Sequence, residues 1–197
     1  SDLRKIEYRH ADTVLEGFLA HNGKSGKKPA VLVAHAWAGR SPFEDDKARA
    51  LAGLGYVGFA LDMYGKGILG SSVEENSALM TPLLQDRPRL QDRLHAALAA
   101  VRAQPEVDPN RVAAIGFCFG GLCVLDLART GADVLGVASF HGLLTPPGNT
   151  AGKAITSKVL VLHGHDDPMV PVSQVNEFEA EMTAASVDWQ VHAYGGT

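Results

Sequence analysis

A cysteine occupies the seat of a nucleophile in this chain. Gly116-Phe117-Cys118-Phe119-Gly120-Gly121 follows the apolar run Val112-Ala113-Ala114-Ile115 and precedes an amphipathic helical pattern. The order glycine, any residue, nucleophile, any residue, glycine lifts a reactive side chain on a strained strand-to-helix turn whose close neighbours must lack side chains. A thiol there stands at the first turn of the next helix. The unpaired N–H groups and positive dipole end of that helix favour a thiolate and the oxyanion that its attack creates. Gly-rich turns of this kind also cradle dinucleotides. However, the Gly-x-Gly-x-x-Gly spacing is absent here, and the turn lies past the middle of the chain rather than on the first strand.

A thiol nucleophile needs a general base and a carboxylate that orients it. In the chain order nucleophile, acid, histidine, the acid follows Cys118 at a strand end. The run Val159-Leu160-Val161-Leu162-His163 leads directly into Gly164-His165-Asp166-Asp167-Pro168. Asp167 is the expected acid, because the proline after it holds it out of the helical region and the turn then aims its carboxylate at the site. Asp166 is left to solvate or cap. Of the histidines, His192 alone follows Asp167, and its alternating surroundings, Trp189 to Tyr194, place it mid-strand, where a mobile base is badly served. It is read as structural. His35, His141 and His163 fall at strand ends and are candidates to line the pocket, as are Ala36 and Tyr64.

The elements that must position these groups alternate. Strands are expected at Lys5 to Tyr8, Val14 to Ala20, Ala30 to Ala34, Val57 to Leu61, Val112 to Gly116, Gly136 to Phe140, Val159 to His163 and Trp189 to Tyr194. Continuous apolar runs such as Ala30 to Ala34 suit central parallel strands covered on both faces, and the polar alternation of the first two suits edge or hairpin strands. Helices are expected at Asp45 to Leu54, Arg89 to Gln104, Leu122 to Arg129 and Ser173 to Ala185, the last with Ser173 as N-cap. Tyr64 to Ser77 and Leu143 to Ser157, rich in Gly, Ser or Pro, read as irregular connections. The pattern predicts one α/β domain with a mostly parallel central sheet and helices on both faces, its functional loops at the carboxyl ends of the strands.

Composition agrees with one ordinary core: 197 residues, 46% hydrophobic and 20% charged. The net charge of −4 comes without a basic stripe, which argues against a nucleic-acid or membrane surface. No run of 18 apolar residues occurs and the N-terminal residues lack a signal-peptide core, so a cytoplasmic protein acting on a small molecule is expected, as monomer or homodimer. The two cysteines, Cys118 and Cys123, are five positions apart, roughly 7.5 Å along a helix, and are expected to stay unpaired, Cys123 in the core. Neither Cys-x-x-Cys nor His-Glu-x-x-His spacing occurs, so no metal and no cofactor is expected.

The elbow Gly116 to Gly121, the segment Leu61-Asp62-Met63-Tyr64-Gly65, the turn Asp167-Pro168-Met169-Val170-Pro171 and the closing Val191-His192-Ala193-Tyr194-Gly195 together resemble the dienelactone hydrolase family of α/β hydrolases, along nearly the whole chain. The resemblance implies an α/β-hydrolase fold and an oxyanion hole built from the backbone N–H groups of Phe119 and Trp37. It also implies a catalytic histidine two residues beyond Thr197, so that residues 1–197 are expected to form a single domain lacking its histidine loop and last helix. Two departures bear on substrate. The family commonly has Glu where Ala36 stands, holding the resting thiol, and its dienelactone specialists use arginines for the substrate carboxylate, which only Arg87 or Arg89 loosely match. Alanine leaves the thiol to histidine and helix dipole, with a more constantly activated thiolate as the expected consequence. The expected activity is hydrolysis of small activated esters or lactones through a thioester, extending to phosphotriesters. The alternative is a non-catalytic binding or thiol-sensing protein of the same fold.

Overall fold

Apolar strands separated by amphipathic segments bury themselves as one sheet between helices. In the computed structural model, which describes residues 2–197, the strands are β1 (Asp2–His10), β2 (Thr13–His21), β3 (Lys28–Ala34), β4 (Val57–Ala60), β5 (Val107–Phe117), β6 (Gly136–Phe140), β7 (Lys158–Gly164) and β8 (Trp189–Tyr194). The helices are α1 (Pro42–Gly53), α2 (Val73–Gln85), α3 (Arg87–Arg102), α4 (Phe119–Arg129) and α5 (Val172–Ala184). The eight strands lie in the order β1-β2-β4-β3-β5-β6-β7-β8. β1 and β2 form the expected hairpin at the edge, β2 pairs antiparallel with β4, and every other pairing is parallel. The carboxyl ends of β3, β5, β6 and β7 therefore meet at one rim of the sheet, where Cys118 and Asp167 emerge.

The two faces of the sheet are covered unequally. One carries the main core, in which Phe59, Leu32 and Leu61 pack with Leu90, Leu94 and Ala97 of α3 and with Leu122 and Leu125 of α4. The other carries a small cluster of Phe18, Ala20 and Ala60 against Ala48 and Ala52 of α1. α1 lies so close that a Cβ on Gly58 would stand 2.3 Å from the Ala48 carbonyl oxygen. Helices do lie on both faces, but on the α1 face the Phe43 ring of α1 reaches only the tip of β5, edge-on to Phe117 at 5.2 Å, and no described helix covers β6 to β8. Along β7 burial alternates: Val159, Val161 and His163 are buried, whereas Leu160 and Leu162 are only partly so. An open crevice of about 380 Å³ lined by Ala113, Ile115, Ala138, Leu160 and Gln190 runs over this half. The continuous apolar runs thus overstate the coverage of these strands.

α3 runs Arg87–Arg102 rather than Arg89 to Gln104 and α4 starts at Phe119 rather than Leu122, and three further differences have identifiable reasons. α2 occupies the end of the segment read as irregular: Ser72 caps it, accepting from the Glu75 N–H at 3.1 Å, and Pro82 sits inside it at the loss of one backbone hydrogen bond. α1 begins at Pro42 because Ser41 and Glu44 form a reciprocal capping box. α5 starts at Val172, with Pro171 rather than Ser173 at the N-cap and no side-chain cap.

The long connection from β6 to β7 is pinned by a buried polar network. Arg87 donates twice to Asp126, at 2.7 and 2.8 Å, and once to the Thr145 carbonyl. Arg129 reaches the Leu144 carbonyl and makes a two-point pair with Glu181 at 2.7 and 2.9 Å. Asp126 is fully buried and Arg129 nearly so, so the charges are matched rather than solvated. No described helix is long and apolar enough to cross a membrane.

Candidate active site

The elbow forms as its sequence requires. Cys118 takes φ 56° and ψ −116°, a conformation L residues adopt at a cost of about 1–3 kcal/mol. It is held there from both sides: its N–H donates to the Phe140 carbonyl at 2.9 Å, and its carbonyl accepts from the Gly121 N–H at 2.9 Å. The glycines are steric necessities. A Cβ on Gly116 would stand 1.9 Å from the Gly120 oxygen, and one on Gly120 would stand 2.2 Å from the Ala34 oxygen and 2.7 Å from that of His35. The second contact brings the start of α4 against the end of β3 and sets the elbow beside the His35-Ala36-Trp37 segment.

The half-buried Cys118 thiol has its pKa raised, chiefly by burial. The Phe119 N–H, facing the sulfur, pulls it down, and the Asp167 carboxylate pushes it up. Among the described residues, loss of water around the sulfur outweighs the single amide at the helix start and favours the thiol over the thiolate. Cys123 is fully buried in the core and unpaired, as expected.

Around the end of β3, the residues expected to line the pocket divide. His35 is fully buried, its Nε2 accepting from the Met63 N–H at 3.0 Å and its Nδ1 lying 2.6 Å from the Ala36 carbonyl oxygen. It presents no atom to a substrate, so its assignment as pocket lining is withdrawn. Burial lowers its pKa and keeps the ring neutral. Tyr64 is 8% exposed and donates its hydroxyl to the Trp37 carbonyl at 2.7 Å. Ala36 and Trp37 are partly exposed, and among the described residues the Trp37 N–H has no acceptor. Ala36 puts no carboxylate next to the thiol. Arg87 is committed to Asp126 and Thr145, which removes it as a partner for a substrate carboxylate.

At the end of β7, the Asp167 carboxylate accepts from the Met169 N–H at 2.9 Å, and the residue is half-buried. Asp166 takes a different part: its N–H donates to the Thr197 carbonyl at 2.7 Å, and its carboxylate accepts from the Gly196 N–H at 3.0 Å. Residues 196 and 197 are thereby held against the turn that carries Asp167. His192 lies within β8, exposed, with Nε2 3.1 Å from Gln190 Oε1. His141 is exposed at the end of β6 with φ 44° and donates its backbone N–H to Leu162. His163 points into the protein, 2% exposed, with neither ring nitrogen partnered among the described residues. No group of three or more histidine, cysteine or acidic side chains among those residues is arranged to hold a metal.

A mostly parallel eight-stranded sheet with a strained residue between β5 and α4, facing the ends of β3 and β7, is the architecture of the α/β hydrolases. Residues 15–197 match the model of the dienelactone hydrolase family, and the chain belongs to that family. It is similar to a dienelactone hydrolase-like promiscuous phosphotriesterase from metagenomic libraries, at 40% identity and TM-score 0.93, over 100% of this chain and 82% of that one. The protein m3DLH gives 39% identity and TM-score 0.94 with the same coverage. A Bradyrhizobium protein named as a probable 2-oxo-3-(5-oxofuran-2-ylidene)propanoate lactonase is 29% identical over 189 residues, 91% of this chain and 75% of the relative. The protein is a hydrolase of the carboxylic ester type.

Proposed function

We propose that this protein hydrolyses small activated esters or lactones with Cys118 as nucleophile. The observation that carries the reading is the Cys118 thiol on the strained turn, with the Phe119 N–H on its sulfur and, among the described residues, no acceptor for the Trp37 N–H in the adjoining loop. In the first half-reaction the sulfur adds to the carbonyl carbon and its proton passes to a histidine. The oxyanion rests on the Phe119 and Trp37 amides, and the leaving group takes the proton as the thioester forms. In the second half-reaction water, deprotonated by the same histidine, cleaves the thioester and restores the thiol.

The base is a histidine beyond Thr197, oriented by Asp167. Gly196 and Thr197 are tied to Asp166, next to Asp167, so a residue following them starts beside that carboxylate. No cofactor takes part in these steps.

Phosphotriesters are the second substrate class. The phosphotriesterase relative at 40% identity supports it, and so does the chemistry: thiolate leaves phosphorus more readily than alkoxide does, so a phosphorylated Cys118 turns over where a serine adduct stalls.

The test is turnover of a short-chain aryl ester and an aryl phosphotriester by a chain extended past Thr197 and by its Cys118→Ala variant. Turnover should fall by at least about a thousandfold in the variant, as it does when a nucleophile is removed. Equal rates in the two proteins would leave Cys118 as a binding or sensing thiol.

A further inference from the structure

Two consecutive carbonyls in the loop after β3 are gripped by side chains that present nothing to a substrate. The Ala36 oxygen accepts from the Gly39 N–H at 3.2 Å and faces His35 Nδ1 at 2.6 Å. The Trp37 oxygen accepts from the Tyr64 hydroxyl at 2.7 Å. A trans peptide is planar, with its C=O and N–H directed oppositely. Holding the Ala36 oxygen therefore sets the direction of the Trp37 N–H, which belongs to the same peptide. Holding the Trp37 oxygen fixes the following peptide, so the two cannot counter-rotate.

The grips are themselves locked. The Met63 N–H donates to His35 Nε2, which leaves the imidazole proton on Nδ1, directed at the Ala36 oxygen. The Tyr64 and Gly65 amides donate to Asp62 Oδ1 at 2.9 and 3.1 Å, fixing the backbone from which the tyrosine springs. The Tyr64 ring stacks on Phe119, with centroids 5.9 Å apart and planes 16° apart, and meets His35 edge-on at 4.9 Å. One tyrosine thus braces Trp37 through its hydroxyl and Phe119 through its ring, on the two sides of the nucleophile.

We propose that His35 and Tyr64 form a clamp that keeps the Trp37 N–H aimed at the acyl oxygen, which makes both of them positioning residues for acyl transfer. The inference rests on the Cys118 reading above, and it gives Tyr64 a task other than contact with substrate. Neither side chain touches the reacting atoms; both act through the peptide they hold.

Tyr64→Phe is the informative variant, since it keeps the ring and its stacking and deletes one hydroxyl. The chain extended past Thr197 and the same chain carrying Tyr64→Phe are treated separately with p-nitrophenyl acetate and with iodoacetamide, and modification of Cys118 is timed by p-nitrophenolate release and by mass. Acylation passes through an oxyanion, whereas alkylation displaces iodide at a saturated carbon and forms none. Removing a whole oxyanion donor costs about 10²–10³ in rate, so loosening one should slow acylation about tenfold while alkylation stays within about twofold. His35→Asn, which keeps a donor near the Nδ1 position, should lose less than His35→Leu. Equal acylation in wild type and Tyr64→Phe overturns the clamp. So does a parallel fall in both reactions, which would mark general damage to the elbow. A wild-type Cys118 that is alkylated but never acylated removes the acyl-transfer reading itself, and the clamp with it.

Discussion

At Cys118, desolvation and hydrogen bonding oppose one another, and desolvation wins. The raised thiol pKa favours the thiol at neutral pH, and in the mechanism proposed above attack is therefore coupled to proton removal by the base. Iodoacetamide alkylation of Cys118 should therefore rise with pH through a midpoint above the value of about 8.5 for an unperturbed cysteine. Asp167→Asn should lower that midpoint, because the carboxylate now disfavours the anion from across the site. A midpoint below that of free cysteine would mean that the helix terminus outweighs burial after all. The elbow was legible in the sequence because its requirements are local: three glycines and a nucleophile within six positions. The part played by His35 was not, since it depends on Met63, 28 positions away, arriving from the loop after β4 with an N–H for Nε2. A histidine at a strand end looks the same in sequence whether it faces a substrate or a backbone.

At the scale of elements, the site is held by connections whose chemistry is spread over the chain. The end of β6 supplies the Phe140 carbonyl that fixes Cys118, and the loop that follows is anchored through Thr145 and Leu144 to Arg87 and Arg129, with Asp126 between them. Asp126→Ala strips the Arg87 guanidinium of its carboxylate while Arg129 keeps Glu181, and breaking such a buried pair costs about 3–5 kcal/mol. Urea denaturation should show that loss with an unchanged m-value, and Arg87→Ala should cost less, because the side chain of Arg87 is more exposed than that of Arg129. Helices read from periodicity were found wherever an apolar stripe ran unbroken. α2 was missed because Gly70, Ser71 and Ser72 before it and Pro82 within it carry the marks of a loop, although Ser72 serves as the N-cap and Pro82 lies within the helix. The Ser41 and Glu44 capping box was present in the sequence and would have moved the start of α1 to Pro42.

Over the whole molecule, the sheet is a platform with one finished face. The mostly parallel sheet and the rim where the site gathers follow from the alternation of strands and helices, and the hairpin edge from the polar alternation of the first two strands, which is why the fold class was readable. Coverage was not, because a run such as Val159-Leu160-Val161-Leu162 is apolar on both sides whether or not both sides are packed. The two faces of β7 should respond differently to truncation. Val161 is 1% exposed in the main core, and Val161→Ala removes two buried methyl groups and leaves a cavity, for a loss of about 2 kcal/mol. Leu160 is partly buried and borders the open crevice, so its larger truncation to Ala widens a groove that water enters instead of leaving a sealed cavity and should cost no more than Val161→Ala. Denaturant midpoints of the 197-residue chain measure both. If Leu160→Ala proved the costlier change, the α1 face over β5 to β8 would have to be covered in solution. Repeating the measurement across protein concentrations would then separate the two ways of covering it. A second copy of the chain makes the Leu160→Ala loss grow with concentration, and a segment of the same chain leaves it constant.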